Sequence, residues 1–173
     1  MYAAYHRDPT NKAIHFLFVP LIIWSAMGLL LELPGLDVGN LTLTLAHAIA
    51  LVLLVYYLRL DFALGLAMVL LFTVLLVTAL NVHDSLGAAT AGGQAWMLFA
   101  AVFAGSWIAQ VIGHSAFEHR KPALVDNVFQ VFVAPIFVMA EWAFSLGLRK
   151  ELHAQVQKGL VAYLPKPGEP KAA

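Results

Sequence analysis

The sequence predicts an all-α protein, a polytopic transmembrane helical bundle with four spanning helices and a fifth segment that either spans or is broken and re-entrant. Three observations carry this prediction. The chain is 61% hydrophobic and 12% charged, with a mean hydropathy of +0.81, whereas soluble chains are about a quarter charged. A globule of 173 residues with so few polar side chains could not cover its surface. The apolar residues fall in runs near the roughly 20 residues that a helix needs to cross a bilayer. Finally, the lysines and arginines occupy alternate connections between those runs.

The elements follow in order. Residues 1–12 are polar and aromatic, too polar to be a cleavable signal peptide, so the first apolar run is itself the targeting signal. Pro9 disfavours helix at Asp8, and Thr10 or Asn11 can cap a helix that starts just after. The first span is Ala13–Leu31, with His15 one turn in and Pro20 as a potential kink. A loop holds Glu32, Pro34, Gly35, Asp37 and Gly39. The second span is Leu41–Leu58, and Arg59-Leu60-Asp61 is a tight connection to the third, Phe62–Leu80. A loop over 81–94 leads to the fourth span, Ala95–Gly113. The fifth segment, Val128–Leu146, carries Gln130, Pro135 and Glu141. A short amphipathic helix and a disordered Pro/Lys/Gly/Glu end complete the tail.

The cations set the orientation. All ten lie in the N-terminal arm (Arg7, Lys12), at Arg59, at Arg120 and Lys121, and in the tail from Arg149. The loops at 32–40 and 81–94 have none. The positive-inside rule then places the N-terminus in the cytoplasm. A full crossing by the fifth segment would put the tail cations outside, so re-entry is favoured over a span. Net charge is zero and no basic block marks a nucleic-acid partner. There are no cysteines, which excludes disulfides, thiolate ligands and cysteine nucleophiles.

Between the fourth and fifth runs lies Gly113-His114-Ser115-Ala116-Phe117-Glu118-His119-Arg120-Lys121-Pro122-Ala123-Leu124-Val125-Asp126-Asn127. Ionisable groups at the edge of membrane-grade apolar runs are costly unless solvated, paired or bound, which makes this stretch a site candidate. The topology sorts the seven histidines: His6, His15, His114, His119 and His153 share the cytoplasmic side, while His47 and His83 face the other. Imidazoles suit zinc, iron, copper or nickel, and nearby carboxylates favour a harder ion such as Fe(II) over Cu(I). Gln110, His114 and Glu118 are four apart and share a face if the fourth helix continues. Asp126 and Gln130 repeat that spacing. Either carboxylate can serve as a ligand or as the acceptor that fixes a histidine tautomer. His47 reads as helix packing, His83-Asp84 as a solvated loop pair, and Trp24, Trp96, Trp107 and Trp142 as lipid-facing or belt aromatics. No Walker A, nucleophile elbow or Rossmann pattern is present.

Tyr5-His6-Arg7-Asp8-Pro9-Thr10-Asn11-Lys12-Ala13-Ile14-His15, followed by a helix containing Val19-Pro20, resembles the opening of the 2-hydroxy fatty acid dioxygenase family. The run from Gln110 through Gly113-His114, Phe117-Glu118, Arg120, Pro122-Ala123-Leu124 and Asp126-Asn127, with Gln130 and Pro135 after it, resembles that family's second box. The likeness covers nearly all of residues 1–150. It implies an Fe(II)-dependent enzyme of fatty-acid α-oxidation that shortens a 2-hydroxy fatty acid, derived from phytosphingosine degradation, by one carbon with O2. It implies His6, His15 and His114 as iron ligands, with His119 as a fourth, and Glu118 and Asp126 as the catalytic acidic positions. Arg120 and Lys121 would hold the substrate carboxylate and Gln130 would join the substrate site, with the acyl chain between helices. The expected organisation is one transmembrane catalytic domain over 1–150 and a cytoplasmic tail over 151–173. The membrane would be the cytoplasmic one of a bacterium or the endoplasmic reticulum of a eukaryote. A di-iron desaturase is disfavoured, since no HxxxH or HxxHH cluster occurs. The alternative of another class is a non-catalytic carrier or assembly factor whose polar box is structural.

Overall fold

The fold, taken from a computed structural model, is described for residues 2–89, 94–118 and 127–160. Helices dominate it. A 3-10 turn (Tyr2–Tyr5) precedes α1 (Pro9–Leu31). A hairpin of β1 (Leu36–Val38) and β2 (Leu41–Leu43) leads to α2 (Leu45–Leu60), α3 (Phe62–Ala89) and α4 (Ala95–Gly113). A single π-turn, His114–Glu118, continues α4. After it come α5 (Gln130–Ser145) and α6 (Lys150–Leu160).

The start of α1 is earlier than the sequence reading placed it, for a local reason. Asp8 is the cap: its Oδ1 accepts the backbone N–H of Thr10 (2.7 Å) and of Asn11 (3.1 Å). Pro9 then takes the first helical position, where its missing N–H costs nothing. The helix runs through Pro20 to Leu31 as one element.

The stretch expected to be loop after α1 is partly a two-residue hairpin, with Leu36 opposite Leu43 and Val38 opposite Leu41. Period-2 alternation puts these four aliphatics on one face, all exposed. Gly39 takes a φ of 63° at the tip, a conformation glycine adopts without penalty. The hairpin delays α2 to Leu45, where Thr44 donates its N–H to His47 Nδ1 (3.2 Å). His47 therefore serves the start of its own helix rather than interhelical packing. At 16 residues, α2 is shorter than the usual spanning length. Asp61 alone separates α2 from α3 and accepts the Leu64 N–H on its side chain (3.0 Å). The third helix runs nine residues beyond its expected end, through Asn81, His83 and Asp84 to Ala89. His83 Nδ1 does pair with Asp84 Oδ1 (3.2 Å), and its Nε2 lies 3.7 Å from Glu32.

Among the described residues three helices are long and apolar enough to cross a membrane: Pro9–Leu31, Phe62–Gly87 and Ala95–Glu118. A fourth crossing is available if α5 and α6 count together as one broken span, bent by 119°. That break is not at Pro135, which sits inside an intact α5. It falls at residues 146–149, where Gly147 (φ 73°) and Arg149 (φ 55°) both turn left-handed.

The chain forms two compact units, one from Val19–Trp107 and one from residues 1–18 together with the chain from Ile108 onward. In the first, Trp24 packs on Phe99 at 4.9 Å, and Gly28 makes room for the same ring, since an added Cβ would overlap it. In the second, Trp142 meets Phe16 at 6.2 Å. Trp24 and Trp142 thus carry internal packing, whereas Trp96 is exposed.

Candidate metal centre

The second unit contains the site, assembled from three local features. On α1, Asn11 and His15 are four residues apart and both buried, as one helix face requires. Gln110 of α4 and His114, which opens the π-turn, form the matching buried pair. The π-turn begins at His114, and such turns are frequent at functional sites because they re-aim side chains within a continuous helix. Gly113 lets α1 and α4 come together: a Cβ there would stand 2.6 Å from Asn11 Oδ1 and 3.2 Å from the Ile14 side chain. The third feature is the N-terminal arm, which delivers His6.

Glu118 holds that arm. Its Oε1 accepts the backbone N–H of Arg7 (2.6 Å), the backbone N–H of Asp8 (2.8 Å) and the Asn11 side-chain amide (3.2 Å). These donors surround the N-terminus of α1, where the helix dipole and unsatisfied N–H groups favour a carboxylate. Lys12 Nζ adds an ion pair to Glu141 of α5 at 2.8 Å.

His6, His15 and His114 converge, and one ring nitrogen from each lies within 4.8 Å of the others. All three are buried. The rings stand nearly perpendicular to one another, with centroids 4.3, 4.8 and 5.1 Å apart. His6 Nδ1 donates to the Tyr2 carbonyl and His15 Nδ1 to the Asn11 carbonyl, both at 2.9 Å. A carbonyl only accepts, so Nδ1 carries the proton in each ring and Nε2 presents a lone pair. The two Nε2 atoms are 2.9 Å apart. Burial holds His6 well below the usual histidine value, and the neighbouring His15 pushes it the same way. A neutral His6 is the form that ligates a metal.

Two facing lone pairs at this distance repel one another, and a shared cation relieves that repulsion. Nitrogens each about 2.1 Å from one ion, at right angles, lie about 3 Å apart. His114 Nδ1 is buried without a hydrogen-bond partner. The donor set therefore fits a divalent transition metal bound by three imidazoles, with further positions left open. Tyr2 stacks on His6 at 4.1 Å and 11°, and Phe137 of α5 packs against both rings (4.7 and 5.6 Å).

Of the residues singled out in the sequence, His6, His15 and His114 come together. Glu118 adjoins them through the arm, and among the described residues no carboxylate joins the histidine group. Gln130 opens α5, half-buried. His119, Arg120, Lys121 and Asp126 lie outside the described residues. His153 stacks on Phe144 at 4.5 Å, apart from the cluster. Sequence reasoning missed Tyr2 and Asn11 as the acceptors that fix the two tautomers. Their signal was available: each precedes its histidine by four residues.

Fold and site together define a class: a helical protein with membrane-length apolar helices and a buried three-histidine group able to hold a metal ion. The chain belongs to the Mpo1-like family, whose model, described as 2-hydroxy-palmitic acid dioxygenase Mpo1-like, matches residues 1–146. It is 33% identical over 162 residues to the 2-hydroxy-palmitic acid dioxygenase MPO1 of Saccharomyces cerevisiae, an alignment covering 92% of this chain and 85% of the yeast protein. No solved structure matches.

Proposed function

We propose that this protein is an Fe(II)-dependent dioxygenase that shortens 2-hydroxy fatty acids by one carbon with O2, at the cytoplasmic face of a membrane. The observation that supports it most is the meeting of three buried imidazoles in a relative of a named 2-hydroxy-palmitic acid dioxygenase. When bound, the iron would supply the redox chemistry that couples O2 to carbon–carbon cleavage. The protein's part is ligation by His6, His15 and His114, with His119 as the fourth candidate, and exclusion of stray water by Tyr2 and Phe137. With one O2 consumed, the shortened acid balances against one CO2 and one water.

A 2-hydroxy acid offers a carboxylate and an adjacent hydroxyl, which suit a centre with open positions. Arg120 and Lys121 are assigned to the substrate carboxylate, Asp126 and Glu118 to the acidic positions of the site, and Gln130 to the substrate side. The N-terminal arm and the tail are assigned to the cytoplasm by their lysines and arginines. The test is metal analysis of the purified protein, coupled to product identification after incubation with 2-hydroxypalmitate, Fe(II) and O2. Stoichiometric iron and a fifteen-carbon product are expected. A carrier or assembly factor would purify without stoichiometric iron and leave the substrate unchanged.

A further inference from the structure

Gln110 is buried at 5% exposure in the apolar stretch of α4, yet neither its Oε1 nor its Nε2 has a hydrogen-bond partner. Buried side-chain amides are nearly always paired, so a Gln carrying both a free donor and a free acceptor calls for a ligand. It lies one turn before His114 on the same buried face, about 6 Å along the helix. Its surroundings share the defect. Asn11 Oδ1, wholly buried, and His114 Nδ1 also lack partners, and Asn11 Oδ1 sits against Gly113. Unsatisfied polar atoms thus gather where the start of α1 meets the end of α4, beside the three imidazoles.

We propose that Gln110 binds the 2-hydroxycarboxylate head of the substrate and reads its hydroxyl group, an inference that rests on the dioxygenase reading above. A 2-hydroxy carboxylate sets an O–H donor beside acceptor oxygens. A primary amide is its complement: Oε1 accepts from the hydroxyl and Nε2 donates to the carboxylate. A site built to hydrogen-bond a substrate hydroxyl discriminates strongly against the analogue lacking it, because its own polar groups are then left unpaired.

The test compares binding of 2-hydroxypalmitate and palmitate to the purified, iron-loaded full chain, for the wild type, Gln110→Leu and Gln110→Asn, with iron content measured for each. The wild type is expected to favour the hydroxy acid. Gln110→Leu is expected to keep its iron and to lose at least about tenfold of that preference, through weaker binding of 2-hydroxypalmitate with palmitate little changed. Where Gln110→Leu does not retain iron, Gln110→Asn, which withdraws the amide by one methylene, is scored in its place. An iron-replete variant with the wild-type preference would overturn the inference, as would a wild type that binds both acids equally. A Gln110-dependent preference in a protein that releases no shortened acid would leave this inference standing and remove the reaction.

Discussion

His6 Nε2 stands 2.9 Å from His15 Nε2, while each ring's Nδ1 is committed to a backbone carbonyl. Two imidazoles in one helix could share an ion at i and i+4, but here the second comes from outside the helix. The histidine group therefore depends on how the N-terminal arm is held, as well as on which residues are histidine.

Deleting one imidazole should remove the metal without unfolding the protein. His114→Ala and His15→Ala are expected to insert in membranes normally and to purify with less than a tenth of wild-type iron, since losing a ligand costs at least the 10- to 100-fold in affinity that supporting residues alone command. Inductively coupled plasma analysis of membrane-purified protein measures it. A His114→Ala protein with full iron would remove this ligand from the set.

Acid should release the metal and weaken the fold together. Burial lowers the His6 pKa below its usual 6.5, so from pH 6.5 downward the unfolded chain binds a proton that the folded chain refuses. The unfolded state then binds more protons, and stability rises with pH across that window and is lost as pH falls through it. Thermal midpoints of metal-free protein between pH 7.5 and 5.5 should fall with acidity, and His6→Phe should flatten the slope. An equal slope in wild type and variant would assign the acid sensitivity elsewhere.

Glu118 should matter for metal binding without being a ligand. Its carboxylate accepts two backbone N–H groups and the Asn11 amide, and hydrogen bonds to a charged group contribute about 1.5–3 kcal/mol each. Glu118→Ala is expected to lower iron affinity and to lose hydrogen-exchange protection at the Arg7 and Asp8 amides, with Glu118→Gln intermediate. Unchanged protection in Glu118→Ala would separate the carboxylate from the arm.

The sequence showed a helical chain with membrane-length apolar helices because composition and run length are global properties that no local contact overrides. The placement of lysines and arginines grouped five histidines, and the family resemblance singled out His6, His15 and His114 among them, the three that meet. The sequence did not show where helices begin and end. The cap at Asp8 turns on two side-chain hydrogen bonds and the hairpin before Leu45 on strand pairing, neither of which hydropathy registers. Glu118 looked like chemistry because it shares a face with His114, yet its bonds go to the backbone of the arm and to the Asn11 side-chain amide. Pro135 looked like a break, but the chain turns instead at Gly147 and Arg149, where backbone conformation decides.

Gly113 should tolerate no side chain. A Cβ there would stand 2.6 Å from Asn11 Oδ1, and forced overpacking costs about 1–3 kcal/mol. Gly113→Ala should lower the thermal midpoint and the iron content together, because the shift moves α1, which carries His15, away from His114. A variant of wild-type stability would mean that Asn11 can swing aside.

The pair between Lys12 and Glu141 ties α1 to α5 at 2.8 Å, with side chains 28% and 12% exposed. Removing one partner strands the other charge in a partly dehydrated place, so Lys12→Met should cost roughly 1–3 kcal/mol, less than the 3–5 of a fully buried pair. Glu141→Gln should cost less than Lys12→Met, since the amide still accepts a hydrogen bond from Lys12. The double variant should be more stable than the sum of the single losses, because neither charge is then unpaired, and the coupling should fall within about 0.5–3 kcal/mol. Chemical denaturation in detergent micelles gives all four values. Strict additivity would show that the two charges are solvated separately, and α5 would then be held against α1 by apolar contacts such as Phe16 on Trp142 alone.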